Sequence, residues 1–468
     1  MKELQDISSK DDQESFSDKE SLSSLNPLNS SSAVLTTRQS RDLLSKITWR
    51  LIPLLFLCYI VAYVDRINVG FAKLQLREVL GVDENIFGSV YGLGAGLFFI
   101  GYFLFEVPSN LILQRVGARL WIARIMIVWG IVTMTMLFIN STTAFYFMRF
   151  LLGAAEAGFF PGVILYLTYW YPARERARTV ALFATGGVIA GIIGSPLSGA
   201  ILGLHGKAGL DGWQWLFLLE GIPAILLGLV VLFVLPNRPG ETSWITDSEK
   251  EWIQSRLDHE AAQSKGHAHF RLSDALSSRL IWMLCLIYFL LNVGGYGFEM
   301  WLPSIIKGFS GMSFTMVGFI NAIPYIGAVV VMLITGYHSD RTGERRWHVA
   351  IAAITSAVGF ACSAYLNNPY LAMVALTVAF LGLKSTVGPF WALATTFLGG
   401  TAAAGGIALI NSVGNLGGFV GPTVVGYIKQ STGNYSGAVT ALGCGLIILA
   451  CLALMLRTKE GDTPRMES

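Results

Sequence analysis

Two acid–base groupings stand out because they lie where charge is expensive. Asp65 and Arg66 are neighbours inside the apolar run YIVAYVDRINVG (59–70), and Arg149 and Glu156 lie seven residues apart in FMRFLLGAAEAGFF (147–160). An ionisable side chain at the centre of a membrane helix costs about 2.5–3.5 kcal/mol or more, so each marks a functional site by default. A carboxyl in such a place can trade its charge by taking up or releasing a proton. An arginine offers a planar fork that holds a carboxylate through two parallel hydrogen bonds. Together they suit the binding of an organic anion coupled to proton movement. The competing structural role is a buried ion-pair network that holds helices together, but such networks are weak stabilisers.

Depth relates the four residues. Asp65 lies about six residues from the outer end of its run and Arg149 about six residues into its own, so both sit roughly 9 Å below the boundary. They can pair if their helices are neighbours. Glu156 lies on almost the same face as Arg149, about 10 Å deeper, and is expected to have no committed partner. Arg66 is turned by about 100° from Asp65 and is expected to face a cavity. Protonation of a carboxylate would then free Arg66 for substrate, and loss of that proton would favour release.

Other charges in apolar runs are Glu106, Glu220, Glu299 and Lys384. Glu106 and Glu220 read as structural. Lys384 either attracts a second anionic group or pairs with Glu299. Tyr288, Asn292, Trp391, Asn411 and Asn415 can line a cavity from the second half of the chain, with helix packing as their other role. Asn411 and Asn415 share one helix face.

The elements that must position these groups are membrane helices. The chain has 468 residues, 53% hydrophobic and 13% charged, with mean hydropathy +0.57. A soluble domain carries about 25% charged residues. Long uncharged blocks such as IPAILLGLVVLFVL and LGCGLIILACLALML approach the roughly 20 residues that cross hydrocarbon. Backbone groups there find no water, so these blocks are helices. Twelve spans are predicted: 49–71, 88–110, 120–138, 143–167, 177–203, 213–235, 279–303, 315–336, 346–365, 369–392, 403–428 and 436–456.

The net charge of +3 is too small to imply nucleic-acid binding. No cofactor, metal site or nucleophile–base constellation is apparent. The five cysteines fall in apolar blocks and are expected to pack as small hydrophobes, and His267 and His269 sit in a polar linker. Residues 1–45 read as a disordered, Ser-rich cytoplasmic tail and 46–235 as a first six-helix bundle. A cytoplasmic linker follows at 236–278, then a second bundle at 279–457 and a cytoplasmic tail at 458–468. Lys and Arg collect on the side of the N-terminus, which places both termini inside the cell. Lys73, Arg77, Lys207, Lys307 and Lys429 fall on the sparse outer side.

The halves also repeat. Arg115, Gly117, Arg119 and Trp121 match Arg341, Gly343, Arg345 and Trp347 at a separation of 226 residues, as Gly191 matches Gly417 and Pro196 matches Pro422. Six spans per repeat give two parallel bundles related by a pseudo-two-fold, with a cavity near the midplane between them. At the same separation Asp65, Arg66, Arg149 and Glu156 meet Leu291, Asn292, Ala375 and Gly382. The charges are therefore not required by the shared fold.

The loops QRVGARLW (114–121) and DRTGERRW (340–347), the second keeping the acid Asp340, resemble the signature of the major facilitator superfamily. The runs YVDRINVGFA, FFIGYFLFEVPSNLIL, RFLLGAAEAGFFPG and WYPARERAR resemble its anion:cation symporter branch. Bacterial permeases for tartrate, phthalate, 4-hydroxyphenylacetate and sugar acids belong to that branch. The resemblance implies proton-coupled import of a small carboxylate; an all-α membrane protein that acts as a monomer is expected, with the lipid bilayer, the anion and protons as its partners. It implies proton-linked roles for Asp65 and Glu156, tuning of the first-span acid by Arg149, a substrate-carboxylate role for Arg66 and a place at the ligand for Tyr63. Arg115, Arg119, Arg341 and Arg345 would make cytoplasmic gate contacts. A uniporter, an exporter and a ligand-binding sensor remain alternatives.

Overall fold

The protein is described from a computed structural model covering residues 35–265, 276–309, 311–397 and 401–456. Among the described residues, twelve helices are long and apolar enough to cross a membrane. The first six are Arg38–Val79, Glu84–Val116, Ala118–Phe138, Thr142–Leu167, Arg178–Leu202 and Gly212–Val234. The second six are Arg279–Glu299, Phe314–Thr342, Arg346–Tyr365, Pro369–Phe397, Gly406–Thr432 and Ser436–Met455. Each predicted span finds its helix.

The first helix starts at Thr37, inside the stretch expected to belong to the tail. Thr36 and Gln39 form a capping box that satisfies the free amides there, and Leu43 and Ile47 are buried just beyond it. Residues 1–34 of the expected N-terminal tail, the whole of the expected C-terminal one (458–468) and the two linker histidines lie outside the described residues. The linker carries a helix, Asp247–Lys265, docked on the first bundle. Trp244 stacks on Trp170 with ring centroids 6.0 Å apart, and Arg50 lies 5.0 Å over the Trp244 ring. Glu260 accepts from the Ala173 amide at 3.0 Å.

The two six-helix bundles meet along two matching seams. Span 2 packs on span 11 and span 8 on span 5, pairs related by the internal repeat. Small residues make the approach possible: a Cβ on Gly199 of span 5 would lie 2.6 Å from the Phe314 carbonyl oxygen and 2.9 Å from Gly318 Cα of span 8. Asn321 Nδ2 donates to Ser195 Oγ across that seam at 2.8 Å. Cys58 and Cys285 pack as expected, but Cys362, Cys444 and Cys451 are exposed. Apolar helices in lipid need not bury their thiols inside the protein, which accounts for the difference.

Beyond Asn68 in the first span the halves close over a lysine. Lys73 is only 7% exposed, and its Nζ lies 3.3 Å from the Trp301 ring centroid and 4.9 Å from that of Tyr91. It is thus no loop charge, contrary to expectation, because π-faces replace part of its hydration. Tyr91 and Trp301 are themselves fixed: Tyr91 Oη donates to the Met300 carbonyl at 2.9 Å and Trp301 Nε1 to the Pro422 carbonyl at 3.2 Å.

Candidate functional site

A loosened turn in span 1 and a break in span 4 set the site. Span 1 loses regularity at Asn68, three residues after Asp65. Span 4 breaks directly after Glu156, where Gly158 takes φ +87°, a left-handed conformation that costs glycine little. The break leaves Glu156 at the end of a helical segment, surrounded by protein.

The pairing differs from expectation. Arg66 Nη2 pairs with Glu156 Oε1, so Glu156 does have a committed partner. Arg66 Nη1 also donates to Tyr296 Oη of span 7 at 3.1 Å, and its guanidinium lies 5.3 Å over the rings of both Phe98 and Tyr102. Asp65 makes no ion pair with Arg149 among the described residues. It faces span 3 and accepts from Thr133 Oγ1 at 2.9 Å and Asn68 Nδ2 at 3.1 Å, so two neutral donors take the place expected for the arginine. Arg149 is fully buried, donates through Nη2 to the Ala95 carbonyl at 3.3 Å and lies 5.1 Å over the Phe98 ring. Its Nε and Nη1, and Glu156 Oε2, make no hydrogen bond among the described residues. The same span therefore holds a buried cation and a buried carboxylate whose hydrogen-bonding capacity is not filled by the described residues.

The second half contributes its own pair. Lys384 Nζ lies 2.6 Å from Glu299 Oε1 as an ion pair, although the contact is not aligned as a hydrogen bond. Tyr63 Oη bridges the halves, donating to Glu299 Oε2 at 2.9 Å and accepting from Lys384 Nζ at 3.3 Å. The open choice for Lys384 is thus answered in part: it does meet Glu299. Tyr288 stacks on Phe390 at 5.2 Å and meets Trp391 edge-on at 5.0 Å. Asn292 is tied to the Gly414 carbonyl at 3.1 Å.

Glu106 crosses to the other half, accepting from Asn411 Nδ2 and Ser412 Oγ, each at 3.0 Å. Asn411 is thereby committed to a bundle-to-bundle contact, whereas no hydrogen bond engages the Asn415 side chain among the described residues. Glu220 accepts from Ser198 Oγ at 2.7 Å within the first bundle, in keeping with a structural role.

The first repeated loop meets the start of the linker, and the second acts within its own half. Gly117 (φ +95°) and Gly343 (φ +69°) end spans 2 and 8. The Arg119 amide donates to Asn237 Oδ1 at 2.9 Å, and Arg345 pairs with Asp340 at 2.7 Å. Arg115 and Arg341 are exposed, and no ion pair joins the two loops among the described residues. Sequence reasoning missed Thr133, Tyr296, Ser412 and the Lys73 cage. Tyr296 was within reach, since it stands one turn from Glu299.

Twelve spans in two related bundles, with charged side chains buried where those bundles meet, define a membrane transporter rather than an enzyme. The Major Facilitator Superfamily pattern matches residues 55–422, and the chain belongs to that family. It is 48% identical over 423 residues to a protein of Agrobacterium vitis named "Putative tartrate transporter", covering 90% of this chain and 93% of that one. It is 42% identical to the "Quinolone resistance transporter" of Acinetobacter baumannii, covering 91% and 98%. Its fold matches the inward-open xylose transporter XylE from E. coli with a TM-score of 0.71 at 16% identity, covering 90% of this chain and 98% of that one.

Proposed function

We propose that this protein imports a small organic carboxylate across a bacterial inner membrane by proton symport and alternating access, as a monomer with both termini in the cytoplasm. The observation that carries this reading is the buried Arg66–Glu156 pair, held at a helix break and touching the opposite bundle through Tyr296. A substrate carboxylate takes the Arg66 fork. Glu156 gives up that fork by accepting a proton or by turning to the free nitrogens of Arg149. Asp65, held by Thr133 and Asn68 rather than by a cation, is the second proton-linked acid, and Arg149 sets the charge around both. Tyr63 and Asn415 contribute to the ligand side of the cavity, and Tyr288, Asn292 and Trp391 to its second-half wall. Asn411, through Glu106, closes the inner end, while the arginine loops hold their own turns. The name of the A. vitis relative supports an organic acid as cargo.

The test uses purified protein in weakly buffered liposomes, with external pH recorded as tartrate is added. External alkalinisation, absent in Asp65→Asn, supports symport. Exchange of labelled tartrate without a pH change would replace symport with uniport or exchange. The name of the Acinetobacter relative favours one further reading, export of a drug-like organic ion. Proton-driven movement out of cells with no tartrate uptake would select it.

A further inference from the structure

We propose that the Lys384–Glu299 pair is a second carboxylate-binding locus, so that the transported acid is a dianion held at both ends, by Arg66 from the first bundle and Lys384 from the second. This rests on the carboxylate-import reading above and narrows it to diacids.

The two pairs are built alike. In each, the carboxylate side chain is 1% exposed while the cation keeps some access, 11% for Arg66 and 14% for Lys384. An entering solute therefore meets the cations, with Glu156 and Glu299 standing behind them as internal carboxylates. Each cation also holds donor capacity in reserve. Arg66 Nε makes no hydrogen bond, and the Lys384–Glu299 contact, though close, is not a directed one.

Tyrosines cross-link the pairs. Tyr63, on the helix of Arg66, bonds to Glu299 and Lys384, while Tyr296, on the helix of Glu299, bonds to Arg66. Tyr63 and Arg66 are three residues apart, roughly 4.5 Å along the axis, so the two cationic heads reach one stretch of about a single helical turn from opposite sides. A short diacid spans that distance; a monoacid engages one cation and leaves the other pair intact. When Lys384 turns to substrate, Glu299 keeps its bond from Tyr63 and is not orphaned.

The comparison that tests this is between L-tartrate and L-threonate, which share a four-carbon hydroxylated chain but differ by one carboxylate. Binding is measured by titration calorimetry on the purified full-length protein. The wild type is expected to bind tartrate about 10- to 100-fold more tightly than threonate, since a site with a partner for each carboxylate rejects the analogue lacking one. Lys384→Gln alone would strand Glu299, so the decisive variant is Lys384→Gln with Glu299→Gln. It should lose the preference and keep its affinity for threonate. Equal binding of both acids to the wild type, with both lost in Arg66→Gln, would leave the carboxylate reading standing and overturn the diacid. A double variant that keeps the preference, or loses threonate as well, overturns it too. Failure of the wild type to bind either acid removes both readings together.

Discussion

At the scale of single residues, the site distinguishes two acids by their company. Glu156 faces an arginine and Asp65 faces neutral donors, so their neutralisation should have different consequences. Glu156→Gln is expected to free Arg66, keep substrate exchange across liposomes and cut proton-driven accumulation about tenfold or more. Asp65→Asn should abolish accumulation while leaving substrate binding measurable by calorimetry. Arg66→Lys replaces a planar fork with a point charge and is expected to weaken carboxylate binding about 10- to 100-fold, read from the same titrations. The types and spacing of these residues were legible in the sequence, because charge inside apolar runs has few explanations. Their pairing was not. Depth along a helix put Asp65 beside Arg149, but the carboxylate found Thr133 and Asn68, two neutral groups that carry no signal in an apolar pattern.

At the scale of helices, the alternating access proposed above requires motion at the two seams. Gly199 and Gly318 allow spans 5 and 8 to touch backbone to backbone, and a side chain there keeps them apart. Gly199→Val is expected to reduce transport about tenfold or more by preventing the close approach of spans 5 and 8, with insertion in the membrane unchanged. Cross-linking of a cysteine pair placed across spans 5 and 8 would report the loss of closure, and undiminished cross-linking would count against it. Eleven of the twelve spans were readable to within about six residues at each end, since twenty-residue apolar blocks have one solution in lipid, but the first helix, Arg38–Val79, runs well past its predicted 49–71 at both ends. The loosened turn at Asn68 and the break at Gly158 were less visible, because a single residue within an apolar run does not alter its hydropathy.

For the whole molecule, the halves are alike in fold and unlike in charge. The linker helix belongs to the first of them, fastened through Trp244, Arg50 and Glu260. Trp244→Ala is expected to cost that docking about 1–2 kcal/mol and to speed tryptic cleavage of the linker, compared with the wild type in the same detergent. The repeat at 226 residues disclosed the two-bundle plan, since it rests on turns that each half needs. How the bundles touch was hidden. Lys73 looked like a loop charge, and only the convergence of rings from both halves shows otherwise.

That cage has an optical consequence. An ammonium group 3.3 Å from an indole centroid perturbs its excited state, and Trp301 belongs to one bundle while Lys73 belongs to the other. Any separation of Lys73 from Trp301 would therefore change the emission of one of the chain's twelve tryptophans. If the halves part there in the transport cycle proposed above, that change accompanies turnover and needs no attached label.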